Sequence, residues 1–251
     1  MDATYPKTGC CGFRLTKRKY AEQFPVVEVQ QTFYQPPKKL ETLKHWRAEV
    51  PEDFEFTLKV WQLITHSCQS PSYRRLTTRF TPVELEQCGS FQSTPQVREA
   101  WDTMRACART LSARLMLFQC PASFGPTPRN LTQMRQFFET VERDDLVFLW
   151  EPRGNWPESL VTTLCRDLDL VHVVDPFLAH TVTPKFVYFR LHGGKGFQHV
   201  YSNAELHKLR DMLPAGKPAY VLFNNVNMIE DAERFRELAW PRTNTRDLEF
   251  H

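Results

Sequence analysis

The feature that most constrains this chain is a repeated alternation. Short apolar runs, rich in β-branched and aromatic residues, recur along the 251 residues. They are TGCCGF (8–13), VVEVQQTFY (26–34), FEFTLKV (54–60), ARLMLFQ (113–119), LVFLWE (146–151), LVHVVD (170–175), FVYFRLH (186–192) and AYVLFN (219–224). Several are apolar almost throughout, the pattern of parallel strands buried on both faces. Helical patterns lie between them. Pro36-Pro37 precedes 38–49. Thr94-Pro95 and Thr127-Pro128 each pair an N-cap with a proline at the first helical position. Trp156-Pro157, then Ser202 or Asn203, and finally Asn227 open three more. An alternation repeated about eight times predicts one α/β domain over 1–251, a TIM-type (β/α)8 barrel. A doubly wound open sheet is the alternative, but TGCCGF lacks the GxGxxG phosphate turn that usually follows its first strand.

Two stretches break the rhythm. Residues 62–91 are rich in Ser, Thr, Gln, Pro and Arg, and read as a long insertion after the third strand. Residues 176–184 are too short for an ordinary helix. Both follow strands, so in a barrel both lie on the face where active sites form. Residues 240–251 read as a C-terminal tail.

Composition narrows the function classes. The net charge of +3 demands no polyanionic partner and excludes none, because a local patch matters more than the sum. No apolar leader opens the chain, and no run of about 18 apolar residues suggests a membrane span. The seven cysteines are odd in number and form no CxxC pair, so a disulfide framework or structural zinc is not expected. A cytoplasmic location fits these thiols.

The strand ends carry the chemistry. Glu28 lies in the second run. Lys59 ends the third, with His66 beyond it. Gln119 ends the fourth, Glu151 and Arg153 the fifth, Asp175 the sixth, Arg190 and His192 the seventh, and Asn224 the eighth. Ionisable groups in a barrel interior are costly unless paired or used, so these side chains are expected to share one mouth. Blander readings stand beside this one. Glu28 would pair with Lys59 or Arg190, Asp175 before Pro176 would start a turn, and His172 would be a satisfied core residue. Catalytic roles fall to His192, Glu28, Glu151 and Asp175. Substrate binding falls to Lys59, His66, Gln119, Arg153, Arg190, Asn224, Tyr34, Trp156 and Gly193. His192 has the ordinary pKa for acid–base work, and the glycines after it would let a ligand approach the backbone. No cofactor is expected. The alternative is a divalent metal held by Glu151, Asp175 and His192.

The same residues carry a family resemblance. VEVQQTFYQPP, PEDFEFTLKV with the ITH that follows, LFQCPASF, WEPRGNW, FVYFRLHG and YVLFNN occur in this order. Together they resemble the YecE-like family, known as domain of unknown function 72, over about 9–238. The resemblance implies a TIM-type barrel and brings no established activity, although a nucleic-acid role has been suggested for the family on structural grounds. Two departures stand out. The usual Gly-Thr-Ser-Gly-Trp opening is here Gly9-Cys10-Cys11-Gly12-Phe13, and Gln30 replaces the usual Asn.

The leading expectation is an enzyme, a hydrolase or lyase, using acid–base chemistry on an anionic, phosphate-bearing ligand. The alternative is a nucleic-acid-binding protein, with or without cleavage. It would use Arg14, Lys17, Arg18 and Lys19 together with Tyr73, Arg74, Arg75 and Arg79, where basic and aromatic residues interleave. A metal-dependent hydrolase or isomerase is a third reading.

Overall fold

A computed structural model describes residues 6–194 and 196–239. Eight parallel strands close into a barrel in sequence order. They are β1 (Lys7–Cys11), β2 (Val26–Val29), β3 (Glu55–Lys59), β4 (Leu115–Gln119), β5 (Val147–Glu151), β6 (Leu170–Val174), β7 (Val187–Leu191) and β8 (Ala219–Phe223). The register closes through Gly9 opposite both Val26 and Leu222. Ten helices follow in chain order: α1 (Lys17–Gln23), α2 (Gln31–Tyr34), α3 (Leu40–Ala48), α4 (Gln62–Thr65), α5 (Pro82–Glu86), α6 (Pro95–Leu111), α7 (Pro128–Thr140), α8 (Glu158–Asp167), α9 (Asn203–Asp211) and α10 (Met228–Ala239). Among the described residues, no helix is long and apolar enough to cross a membrane.

The expected N-caps at Thr94, Thr127 and Ser202 form. The Thr94 and Thr127 hydroxyls accept from the Val97 and Asn130 amides, and Ser202 makes a reciprocal capping box with Glu205. Strand side chains alternate between two cores, as a period of two requires. The larger core lies between barrel and helices and holds Phe118, Phe148, Trp101 and Phe137. The smaller fills the barrel, with Leu117, Leu149, Val173, Tyr188 and Leu222. The inward positions next along the strands are the polar ones, so the barrel is apolar low down and charged at its C-terminal mouth.

Three local readings are corrected. The run at 26–34 ends as a strand at Val29, and Thr32 and Tyr34 sit in α2. The Thr32 hydroxyl donates to the Val29 and Lys59 carbonyls, which turns the chain back over β3. A further helix, α1, occupies 17–23, where a single buried Tyr20 gives little apolar periodicity. The connection at 62–91 is not open loop. It holds α4, a 3-10 turn (Pro71–Arg75) and α5. The Gly89 and Phe91 amides donate to the Leu63 and Ile64 carbonyls and fasten its far end to α4. Gly89 is obligatory there: its φ is +82°, and a Cβ would fall 1.9 Å from the His66 carbonyl oxygen. The expected tail at 240–251 lies outside the described residues.

Candidate active site

At the mouth the polar strand ends converge around Arg190. This side chain is fully buried, as is Glu28. The two meet bidentately: Nε donates to Glu28 Oε2 at 2.9 Å and Nη2 to Oε1 at 2.8 Å. Nη1 donates to Gln119 Oε1 at 3.1 Å and to Glu151 Oε2. Each guanidinium nitrogen therefore already has an acceptor. Glu28 also accepts from the Tyr188 hydroxyl at 2.9 Å and from Gln30. Tyr188 in turn lies 2.8 Å from the Thr57 hydroxyl. Of the two partners expected for Glu28, Arg190 takes the hydrogen bonds. Arg190 is held charged: burial opposes this, but Glu151 and Glu28 outweigh it. Arg190 is thus a strut between two carboxylates rather than a free anion binder.

Glu151 links this strut to His192. Burial would push the Glu151 carboxyl up, yet Arg190, the His192 hydrogen bond and Arg153 hold it well below the usual range. Its Oε1 lies 3.1 Å from His192 Nε2 and 2.5 Å from Arg153 Nη2. The Asn224 amide nitrogen is 3.0 Å from His192 Nδ1, which places the neutral ring's proton on Nε2, facing Glu151. Arg153 Nη2, 2.7 Å from Nε2, can donate there only when that nitrogen is bare. Burial lowers the His192 pKa, with the Glu151 hydrogen bond opposing. His192 is therefore neutral at pH 7 with both ring nitrogens engaged, not the free acid–base group expected.

Asp175 and Gly193 have other duties than those expected. One Asp175 oxygen accepts the Phe177 amide at 3.1 Å, the other the His192 amide at 2.9 Å. The carboxylate thereby sets the turn after β6 and holds the end of β7. Gly193 has φ +69°, and a Cβ there would lie 2.6 Å from the Gly196 oxygen and from His199 Cβ. Its amide donates to the Tyr201 hydroxyl at 2.8 Å. The glycine closes a tight turn in which a side chain at this position would clash.

These pairings also answer the metal alternative. Both Glu151 oxygens face guanidinium groups, and both Asp175 oxygens face backbone amides. Among the described residues, no group of three His, Cys, Asp or Glu side chains is placed to hold a metal ion.

Lys59 is different. It is buried, with 6% exposure, at the end of β3. Among the described residues no acceptor lies within hydrogen-bond distance of its Nζ. The nitrogen stands over the Phe33 ring, 3.8 Å from its centroid. Burial and the nearby Arg190 lower its pKa to about 7, against the pull of Glu151 and Glu28. His66 packs edge-on against the same Phe33 ring, at 4.9 Å. Its Nδ1 pairs with the Thr65 hydroxyl at 2.8 Å, and burial together with Lys59 brings its pKa to about 3. Cys11 lies 3.8 Å from Arg190 Nη2, and burial and Glu28 keep its thiol protonated.

Outside this centre, a groove of about 1150 Å³ runs from Cys11, Gln30 and Asn224 over the β1 and β2 connections. Arg14, Lys17, Lys38 and Arg75 line it, with Phe13, Tyr34 and Trp46. The Arg75 guanidinium lies 3.5 Å above the Tyr34 ring, and Lys17 stands over Trp46. The structure thus brings together basic residues as distant in sequence as Arg14 and Arg75. Arg18, Lys19, Arg74 and Arg79 do not line it, and the Tyr73 hydroxyl is bound to the His66 carbonyl. Trp156 lies on the other side of the mouth, packed edge-on against Trp150, in a cleft of about 520 Å³ that Arg153, Asp175 and His192 share.

Sequence reasoning passed over Tyr188 and Thr57. The signal was available: each stands two residues before a mouth residue on its own strand, and so on the same inward face.

The model of the family described as a protein of unknown function, DUF72, matches residues 3–248. The chain belongs to this family. A DUF72 protein from Enterococcus faecalis has a similar structure, with TM-score 0.71 and 23% identity over 93% of this chain and 96% of that one. One from Thermotoga maritima gives 0.63 and 19%, over 93% and 98%. A D-tagatose 3-epimerase-like protein gives 0.59 and 14%, over 92% and 95%. At these identities the likeness is one of fold. No curated protein matches the chain in sequence.

Proposed function

We propose that the barrel mouth of this DUF72 protein is an enzyme active site performing acid–base chemistry on an anionic, phosphate-bearing substrate. The observation that carries this reading is Lys59. It is an amine on a buried side chain with no acceptor among the described residues, beside a cluster in which Arg190, Arg153, Glu28 and Glu151 are paired with one another. A lysine held near pKa 7 is divided between amine and ammonium at neutral pH, and so can take or give a proton. Its charged form, with the partly exposed Arg153, supplies the cationic surface for the anion. His192, tethered between Glu151 and Asn224, fixes the rim around that anion. The test is a screen of the purified protein against phosphate monoesters, phosphodiesters and glycosides, followed by Lys59→Met. The variant is expected to lose the turnover that the screen finds. A variant as active as the parent would contradict the assignment.

A second reading, nucleic-acid binding, is favoured by the groove. Four cations interleaved with three aromatic rings suit a single strand, whose bases stack while its phosphates pair. Binding of an oligonucleotide is expected to weaken steeply with salt, and to weaken further in an Arg14→Ala, Arg75→Ala double variant. Affinity unchanged by both salt and the double variant would rule the groove out.

A further inference from the structure

Lys59 is a largely buried side chain whose amine has no acceptor among the described residues. We infer that Lys59 is a covalent nucleophile that forms an iminium with the carbonyl carbon of a phosphate-bearing sugar aldehyde or ketone. This rests on the proposed active site and names its substrate class.

The geometry singles out Lys59. The other nucleophile at the mouth, the Cys11 thiol, is fully protonated. His192 has both ring nitrogens engaged, and the Glu28 and Glu151 carboxylates are bound by Arg190. Of these groups, Lys59 is the one whose lone pair no hydrogen bond engages once it sheds its proton. The Phe33 ring covers one side of the nitrogen and limits its hydration. The Arg190 guanidinium, permanently charged by its two carboxylates, opposes a second positive charge nearby. Burial and the Arg190 charge favour the free amine, the form a Schiff-base lysine needs, and outweigh the pull of Glu151, Glu28 and the Phe33 ring face toward the ammonium. The groove approaches the cluster beside Lys59: its inner end is lined by Cys11, 3.8 Å from Arg190 Nη2, and by Gln30, which donates to Glu28. The cations further out then suit a phosphate ester on the same molecule.

The step balances without any redox partner. The amine lone pair attacks the carbonyl carbon, and the C=O π pair moves to oxygen, which takes a proton from the nitrogen. A solvent proton then lets that oxygen leave as water while the nitrogen lone pair forms C=N. One amine, one carbonyl and one proton yield one protonated iminium and one water.

Borohydride tests this directly, because it reduces an iminium to a stable secondary amine. The protein would be incubated at neutral pH with ribose 5-phosphate, or with an oligodeoxynucleotide carrying one abasic site, then reduced and mapped by peptide mass. The expected result is a gain of the ligand's mass less one oxygen atom on the Lys59 peptide. It is expected to be lost in Lys59→Arg and Lys59→Met, whose folding is checked by thermal melts. Which of the two probes reacts tells a free sugar phosphate from a polymeric source. An adduct spread evenly over surface lysines would overturn the inference. So would turnover of phosphate-bearing ligands with nothing trapped, which removes the covalent step and leaves the acid–base reading standing. Absence of adduct, binding and turnover together would remove both.

Discussion

The ends of β7 and β3 face one another across the mouth and deliver two cations in opposite ways. Arg190 is fully buried and directs every nitrogen at an acceptor. Lys59, almost as buried, has an aromatic face and no acceptor among the described residues. A buried charge is tolerated when it is paired and hydrogen-bonded; otherwise it shifts its pKa. Arg190 takes the first course and Lys59 the second. The difference separates framework from chemistry: the paired cation holds two carboxylates in place, and the unpaired one stays reactive.

The largest expected effect lies on the framework side. Arg190→Met strips the partner from Glu28 and Glu151 together, and breaking a buried pair in this way costs about 3–5 kcal/mol. Urea unfolding should register that loss, and Arg190→Lys should recover only part of it, because an ammonium cannot match the bidentate fork. A change below about 1 kcal/mol would show that the strut carries little of the fold's stability.

Lys59→Met should act in the opposite direction. The folded-state pKa of about 7 lies below the ordinary 10.5. The folded protein therefore binds fewer protons than the unfolded chain between those values. The penalty is complete below about pH 7 and fades as pH rises toward 10.5. The variant is expected to gain up to about 4 kcal/mol near neutrality, with the gap closing at alkaline pH while activity is lost. A destabilised variant would make Lys59 a second strut and erase the contrast.

The next effects are smaller. Asp175→Ala leaves the Phe177 and His192 amides without their acceptor, at a cost of about 1–3 kcal/mol, and should shift the amide resonance of His192. If Asp175 instead touches substrate, the loss appears in turnover with stability unchanged. Thr94→Ala removes an N-cap that makes no hydrogen bond to the mouth cluster. It should cost about 1 kcal/mol in thermal unfolding and leave any activity untouched, a control for effects that act through stability alone.

Much of the barrel was legible because its strands are buried on both faces and end abruptly in polar residues. LVFLWE and FVYFRLH show this without ambiguity. Thr94-Pro95 and Thr127-Pro128 marked helix starts because the cap chemistry is local. The segment at 31–34 misled, since Thr, Phe and Tyr are good strand formers, and only the Thr32 bonds to Val29 and Lys59 show the turn. Thr81-Pro-Val-Glu84 carried a legible capping-box signature for α5 that went unused. The members of the site were also visible as strand ends, but their pairing was not. Whether Glu28 meets Lys59 or Arg190 depends on side-chain reach across the barrel, which one-dimensional spacing does not encode. His192 looked reactive from its position alone, and the Asn224 and Glu151 contacts that engage both its nitrogens come from two other strands.

The contrast between the two cations reduces to the protonation of one nitrogen. With lysine labelled at 13Cε, the Lys59 resonance can be assigned by its loss in Lys59→Arg and followed through a pH titration of the folded protein. The expected midpoint is about 7. A midpoint near 10.5, the ordinary value for lysine, would contradict the account.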